Sequence, residues 1–238
     1  MQVKRIPLQG WKKAWRLFAE EIDAPFVSGG FWSRGRIVAK AGPWAVTLDA
    51  WGPGGSSYFT SMLYTRARAV YVARDRFEFE LRGRSVMDRL REAVGMHELQ
   101  VGYPEFDRRF VTKSNDELKV RALLANARIR YLIEGQRRPY FGVRPLAGGI
   151  LAPAASLYLG GADDVERLYE RLRAKARAST ESWAQICDAD PIRVLLARTD
   201  GLVRDVERLR GLYLLLVETL NQLRNMASAS EEQPEHVA

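Results

Sequence analysis

Large apolar residues occupy every second position in two stretches of the chain, 44–49 and 77–82. This period of two predicts β-strands, because successive side chains of a strand point to opposite faces of a sheet. The region 58–73 is also rich in β-branched and aromatic residues, and glycine-containing turns lie at 28–30, 41–43 and 52–56. Since short connections join antiparallel neighbours, we predict an antiparallel meander over 26–82.

An amphipathic helix precedes the predicted sheet. Its apolar side consists of Trp11, Trp15, Phe18, Ala19 and Ile22, which recur at helical spacing. Pro25 cannot continue a helix, so the helix is expected to end near residue 24. We expect its apolar side to pack against the sheet. A second, short helix is predicted at 85–94.

A further helix is predicted at 114–133. Ser114 and Glu117 have the spacing of a capping box, with Ser114 as the N-cap residue and Glu117 at the third helical position. The apolar stripe expected along this helix consists of Leu118, Ala122, Ala125, Ile129 and Leu132. The sequence therefore predicts one continuous helix closing the sheet.

The second half of the chain mixes strands and helices again. Strands are predicted at 140–144 and 156–159, and a helix follows with Asp163 as its cap. The apolar run 192–198 is compatible with a buried strand or a short helix, and we favour the strand. The longest helix is predicted from residue 199 to about residue 226.

These elements place the chain in the α+β class: an antiparallel meander packed against helices, with a long C-terminal amphipathic helix. A boundary is expected at 137–139, where two arginines precede a proline. It separates an N-terminal unit (1–136) from a smaller α+β unit (137–227), and a disordered tail is expected at 228–238. The alternative is that both units form one continuous body.

The long C-terminal helix carries a heptad pattern. From residue 202 onward, apolar residues follow one another at intervals of four and three, which is the a/d spacing of a coiled coil. They are Leu202, Val206, Leu209, Tyr213, Leu216, Leu220 and Leu223. Two interpretations stay open: packing inside the same subunit, or self-association and capture of a protein partner.

Basic residues exceed acidic ones, with 37 Lys and Arg against 29 Asp and Glu and a formal net charge of +8. Arginine supplies most of this charge, which suits phosphate recognition but also follows from a GC-rich coding sequence. The anion-binding candidates are Arg66, Arg68, Arg74, Arg76, Arg82 and Arg84, with Tyr58, Tyr64 and Tyr71 nearby. This pattern favours either a surface for nucleic acid or another polyanion, or a solvated face of mixed charge interrupted by Glu78 and Glu80.

Residue types that catalysis and metal binding require are scarce. Cys187 is the single cysteine, and His97 and His236 are the two histidines. No Gly-x-Ser-x-Gly motif occurs, and the glycine-rich run 52–57 lacks the lysine of a P-loop. We therefore expect no metal, no cofactor and no catalytic residue. Asp107 and His97 are the positions at which an enzyme hypothesis would be tested.

Membrane insertion and secretion are not expected. No run approaches the ~18 apolar residues of a membrane span, and the first ten residues lack the apolar core of a signal peptide. One reduced cysteine is in keeping with a cytoplasmic protein. The sequence thus predicts a cytoplasmic location without a transmembrane segment.

Several short blocks occur in a characteristic order. They are Gly-Pro-Trp-Ala-Val-Thr-Leu-Asp at 42–49, Tyr-Thr-Arg-Ala-Arg-Ala at 64–69, Val-Gly-Tyr-Pro-Glu-Phe-Asp at 101–107, Asn-Asp-Glu at 115–117 and Asp-Val-Glu-Arg-Leu-Arg-Gly-Leu at 205–212. Together they resemble a family of uncharacterised soluble bacterial proteins. The resemblance covers most of 11–137 and the last helix. It implies the fold and a bacterial cytosolic setting, and it assigns no catalytic residue.

The predicted function is that of a non-enzymatic binding or protein-interaction module. This hypothesis combines the long apolar helix with the absence of catalytic motifs. The alternative is binding of a nucleic acid or another polyanion through the basic sheet. Steep salt dependence would mark the alternative, because phosphate contacts release counterions.

Overall fold

The computed structural model of the chain describes residues 9–27, 35–51, 64–85, 99–146 and 191–232, and the helical positions Glu170, Ala174 and Ala178. Its strands are β1 (Phe26–Val27), β2 (Arg36–Ala41), β3 (Trp44–Trp51), β4 (Tyr64–Val72), β5 (Phe79–Gly83), β6 (Phe110–Ser114), β7 (Tyr140–Pro145) and β8 (Ile192–Asp200). Its helices are α1 (Gln9–Glu21), α2 (Pro104–Arg109), α3 (Glu117–Ala125), α4 (Ala127–Glu134) and α5 (Val206–Asn225).

The strands form one sheet in the order β1-β2-β3-β4-β8-β7-β5-β6, and every neighbouring pair is antiparallel. The first four strands follow one another as the predicted meander, but β5, which the prediction included in it, pairs with β6 and β7 and not with β4. The strand β8, which comes last in the chain, lies between β4 and β7. The α+β class with an antiparallel sheet and a long C-terminal helix is therefore confirmed.

The main core lies between one face of this sheet and the helices. The helix α5 lies against β3, β4 and β8 and contacts α1 on one side and α4 on the other. Trp15 and Phe18 of α1 are fully buried there, and the indole Nε1 of Trp15 donates a hydrogen bond to the Val203 carbonyl at 3.0 Å. We call this the inner face of the sheet, and the opposite one the outer face.

Both expected alternations place their apolar residues on the inner face. Val46 and Leu48 of β3 and Leu81 of β5 are fully buried in the core. The run 192–198 lies within β8, so the favoured strand interpretation is confirmed. Burial of alternate residues by the helices explains why the period of two is so clear in these strands.

The predicted continuous helix at 114–133 is wrong in two respects. Asp116, not Ser114, is the N-cap, because the Asp116 side chain accepts the Lys119 N–H at 3.0 Å. Asn126 then divides the segment into α3 and α4, since its side chain accepts two backbone N–H groups of the next turn. The buried face of α3 differs from the predicted apolar stripe, and Leu118 of that stripe is 80% exposed.

The long helix begins later than predicted, at Val206 instead of residue 199. β8 continues to Asp200, and the side chain of Asp205 caps the helix by accepting the Glu207 N–H at 2.7 Å. The predicted tail at 228–238 is structured as far as Glu232. Ser228, Ala229 and Ser230 are buried against β3 and β4, where the Trp44 indole donates to the Ser230 carbonyl at 3.2 Å.

The expected boundary at 137–139 lies in the connection between α4 and β7. β7 pairs with β5 from the first half of the chain. β8 pairs with β4 in the same way. Strands from both sides of the expected boundary thus belong to one sheet.

Several expected features fall wholly or mostly on residues outside the described ranges. They are the helix at 85–94 beyond Ser85, the strand at 156–159, Tyr58, His97, Cys187 and His236. Within the helix expected after Asp163, Glu170 is described and is helical. In the described ranges, no helix has the length and apolar character needed to cross a bilayer.

Candidate anion-binding surface

A row of basic and aromatic residues crosses the outer face of the sheet. From β2 to β5, in strand register, the row consists of Arg36, Asp49, Arg66, Arg198, Tyr140 and Arg82. Residues directly opposite each other in paired strands point to the same face, so these side chains are neighbours. We call these six residues the outer row. Four of its members are cationic and one is a carboxylate.

Asp49 is the centre of a buried charge cluster within this row. The Arg66 side chain donates to both carboxylate oxygens, from Nε at 2.5 Å and from Nη2 at 3.0 Å. Arg68 Nη2 donates to Oδ2 of the same carboxylate at 2.9 Å. Asp49, Arg66 and Arg68 are 6%, 3% and 1% exposed, so all three are removed from bulk solvent. Two of the predicted anion-binding arginines therefore bind a carboxylate of their own sheet.

Arg198 lies between two tyrosines of the same face. Its guanidinium carbon lies 4.4 Å from the ring centroid of Tyr64 and 5.2 Å from that of Tyr140. Arg144, four residues further along β7, approaches Tyr140 at 5.3 Å and also forms an ion pair with Glu80. Each tyrosine ring thus carries a cation at its face, the arrangement that cation–π attraction favours.

The remaining anion-binding candidates do not share one surface. Arg82 belongs to the outer row and is half-buried. Arg74 and Arg76 are exposed in the connection between β4 and β5. Arg84 follows β5, and its Nη2 donates to the Asp107 carbonyl at 3.0 Å. The six predicted arginines are therefore divided among the buried cluster, the outer row, the β4–β5 connection and the end of β5.

The heptad residues of the C-terminal helix pack inside the chain. Leu209, Leu216, Leu220 and Leu223 are fully buried against the inner face and the neighbouring helices. The other members, Leu202, Val206 and Tyr213, are partly buried against the same core. Tyr213 donates its hydroxyl to the Lys40 carbonyl at 2.8 Å, and burial raises the pKa of this hydroxyl. This distribution is the one expected from intramolecular packing.

Asp107 has a structural role that accounts for its carboxylate. Its two oxygens accept the backbone N–H groups of Val101, Gly102 and Tyr103 at 3.0 to 3.1 Å. A loop carboxylate that accepts several backbone donors fixes the conformation of the loop. Among the described residues, no group of three or more His, Cys, Asp or Glu side chains is placed to hold a metal ion.

Sequence reasoning missed Arg36, Asp49, Arg198 and Tyr140 as parts of one surface. The sequence did contain a signal for Asp49. In the alternating strand β3, Val46 and Leu48 are on the apolar face and Asp49 is on the opposite face. Arg198 and Tyr140 gave no such signal, because their proximity to Arg66 depends on the insertion of β8 between β4 and β7.

Comparison of the chain with protein-family models, with curated proteins and with solved structures finds no match. Function is therefore inferred from the geometry and charge of the residues described above.

Proposed function

We propose that this protein is a non-enzymatic binding module for a polyanion, and that a single-stranded nucleic acid is the ligand class that fits its outer face best. The observation that supports this proposal is the outer row, in which Arg36, Arg198 and Arg82 are half-buried, and Arg198 and Arg82 flank the tyrosine of the row. Binders of single strands combine cationic grooves with aromatic side chains in this way.

The length of the outer row suits a short stretch of nucleic acid. It crosses six strands, and at ~4.8 Å between neighbours its ends are about 24 Å apart. Each nucleotide of a strand advances ~3.4 Å along the axis of a duplex, and an extended single strand advances more, so the row spans at most about seven nucleotides. This falls within the ~4–16 nucleotides that small single-strand-binding domains cover.

The charges of the outer face also support an anionic ligand. Lys40 and Lys113 are exposed on the same face, at its opposite edges. Glu80 and Asp200 are half-buried carboxylates of this face near the row; Glu80 is paired with Arg144, and Asp200 lies 3.7 Å from Arg138. Asp49 is neutralised by two guanidinium groups and is buried. At the half-buried and exposed positions of this face named above, a polyanion would therefore meet more cations than carboxylates.

A protein partner is the second candidate, because two large apolar side chains are exposed on consecutive helices. Leu118 of α3 is 80% exposed and Tyr131 of α4 is 75% exposed. This observation replaces the heptad residues as the support for a protein-interaction module, since those leucines are buried. Retention of a captured partner after nuclease treatment would favour this candidate over the first.

The test is binding of a fluorescein-labelled single strand of about 12 nucleotides, followed by anisotropy between about 50 and 200 mM NaCl. If the three half-buried arginines of the outer row contact phosphates, the slope of log K against log salt is expected near −2, at ~0.7 per contact. The double variant Arg36→Ala/Arg82→Ala should weaken binding about tenfold and reduce that slope by about 1.4.

The matched control is Arg121→Ala/Arg128→Ala, which removes two exposed arginines from α3 and α4. It should leave both the affinity and the slope unchanged, and thermal melting should show that both double variants are folded. No binding at low salt, or a flat salt response, would refute the polyanion proposal.

A further inference from the structure

A second basic site lies at the end of the sheet where β5 ends and β7 begins. It is an open cleft of about 330 Å³. The cleft is lined by Gly83, Arg84, Arg108, Arg109, Phe110, Gln136, Arg138 and Pro139. No carboxylate is among these lining residues, although four are arginines. The volume lies at the lower end of the ~300–1,000 Å³ typical of small-molecule sites.

Backbone hydrogen bonds fix the walls of this cleft. Gly83 N–H donates to the Pro139 carbonyl at 3.2 Å, and Arg84 N–H donates to the Arg109 carbonyl at 2.9 Å. On the other wall, Arg137 N–H donates to Thr199 Oγ1 of β8 at 3.0 Å. This hydrogen bond anchors the turn that contains Arg138 to β8. The arginines therefore project from backbone whose position is set by the sheet.

The ion pairs of these arginines are long or exposed. Arg109 lies 3.5 Å from the Glu134 carboxylate, and Arg138 lies 3.7 Å from that of Asp200. Both separations exceed ordinary hydrogen-bond lengths. Arg108 pairs with Glu105 within α2, where both side chains are at least 70% exposed. Exposed pairs of this kind contribute little, so a dianion that accepts bidentate hydrogen bonds can replace them.

Gln136 adds a second, independent observation. It lines the cleft and is 7% exposed, and its buried Oε1 has no hydrogen-bond partner in the structure. Its Nε2 donates to the Leu132 carbonyl over a long 3.5 Å. A buried amide oxygen without a donor is costly, so it favours a ligand that brings a hydroxyl group.

We propose that this cleft binds a phosphate monoester of a hydroxylated compound. The dianionic phosphate lies among Arg108, Arg109 and Arg138, and a neighbouring hydroxyl donates to Gln136 Oε1. Such a group occurs in a free sugar phosphate and at the phosphorylated end of a nucleic-acid strand. The proposal does not depend on the outer row, whose arginines lie on the face of the sheet.

The first experiment measures binding of ribose 5-phosphate and of ribose to the full chain by calorimetry. Ribose 5-phosphate should bind and ribose should not. The variant Arg108→Ala/Arg138→Ala should weaken binding about tenfold or more, because two charge-assisted contacts are lost. The control Arg121→Ala/Arg128→Ala removes the same charge from the helices and should not change the affinity. An equal loss in both double variants would overturn the proposal.

The hydroxyl contact is tested with ethyl phosphate, which has the phosphate but no hydroxyl. The wild type should prefer ribose 5-phosphate, and Gln136→Leu should remove this preference while ethyl phosphate still binds. Folding of Gln136→Leu is checked by thermal melting. If Gln136→Leu does not fold, Gln136→Met, which is unbranched and has no strong acceptor, replaces it. A wild type that does not discriminate between the two esters contradicts the role of the hydroxyl and overturns the proposal as stated.

The source of the phosphate is distinguished with one oligonucleotide, with and without a terminal phosphate. An increase of about tenfold in affinity that is lost in Arg108→Ala/Arg138→Ala identifies the strand end. Binding of ribose 5-phosphate without such an increase identifies a free sugar phosphate. Absence of both effects overturns the proposal. Binding of the unphosphorylated strand reports separately on the outer row, so the two proposals fail independently.

Discussion

The Asp49 carboxylate is the acceptor that two buried guanidinium groups share. Arg66 and Arg68 lie two residues apart on β4 and therefore on the same face, and both reach the neighbouring strand β3. Burying charges costs several kcal/mol for each ion, and mutual hydrogen bonds offset that cost only while every partner is present. The sequence shows that Arg66 and Arg68 lie on one face of their strand, because they are two residues apart. It does not show that Asp49 is their partner, because this depends on the register between β3 and β4.

We expect Asp49→Asn to lower the free energy of unfolding by about 3–5 kcal/mol, because it removes the carboxylate from two buried arginines. Glu80→Gln is the matched control on the same face, since its partner Arg144 is 44% exposed and the pair contributes at most about 1 kcal/mol. Urea denaturation of both variants measures the difference. Equal losses would contradict the structural role assigned to Asp49.

The segment 228–232 is held against the sheet by a single carboxylate and by backbone pairing. Asp75 accepts hydrogen bonds from Ser228 Oγ at 2.6 Å, Lys119 Nζ at 2.5 Å and Phe77 N–H at 3.0 Å. Burial raises the pKa of Asp75, but these hydrogen bonds outweigh burial and hold the pKa below its ordinary value. Composition rich in Ser and Glu predicted disorder here because it carries no information about such a distant acceptor.

The stability that Asp75 contributes should be pH-dependent. A carboxyl group whose pKa is lowered on folding stabilises the native state above its unfolded pKa, and the contribution is lost as the pH falls through the folded pKa. Asp75→Asn should therefore lower the melting temperature at neutral pH and reduce its loss below about pH 4. Asp23→Asn, at an exposed position with φ of 48°, is the control and should not change the profile. Parallel profiles for Asp75→Asn and wild type would refute this assignment.

The two halves of the chain share one sheet, and this decides how the molecule folds. β8 lies between β4 and β7, although more than a hundred residues separate β4 from β8 in the sequence. Two indoles add contacts over similar distances, from Trp15 to Val203 and from Trp44 to Ser230. Such non-local pairing must form before the core is complete, so the described elements should lose their structure together.

We expect the fragment 1–136 not to fold alone, because β4 and β5 would each expose an unpaired edge where β8 and β7 belong. Amide chemical-shift dispersion of the isolated fragment measures this, and addition of the fragment 137–238 is the control that should restore it. The full chain should unfold in one transition by circular dichroism and fluorescence. A dispersed spectrum of 1–136 alone would show two domains.

The strands at 44–48 and 79–83 and the helix α1 were predictable because their period reports which side of each element is buried. The break at Asn126 and the true N-cap at Asp116 were harder, since several nearby polar residues compete for the same backbone donors. The strand order, the outer row and the arginine cleft could not be predicted, because each joins residues far apart in the chain. The periodicity of a sequence shows which face of each helix or strand is apolar. The register between strands and the order of neighbours are decided only when all the apolar faces are buried together in one core.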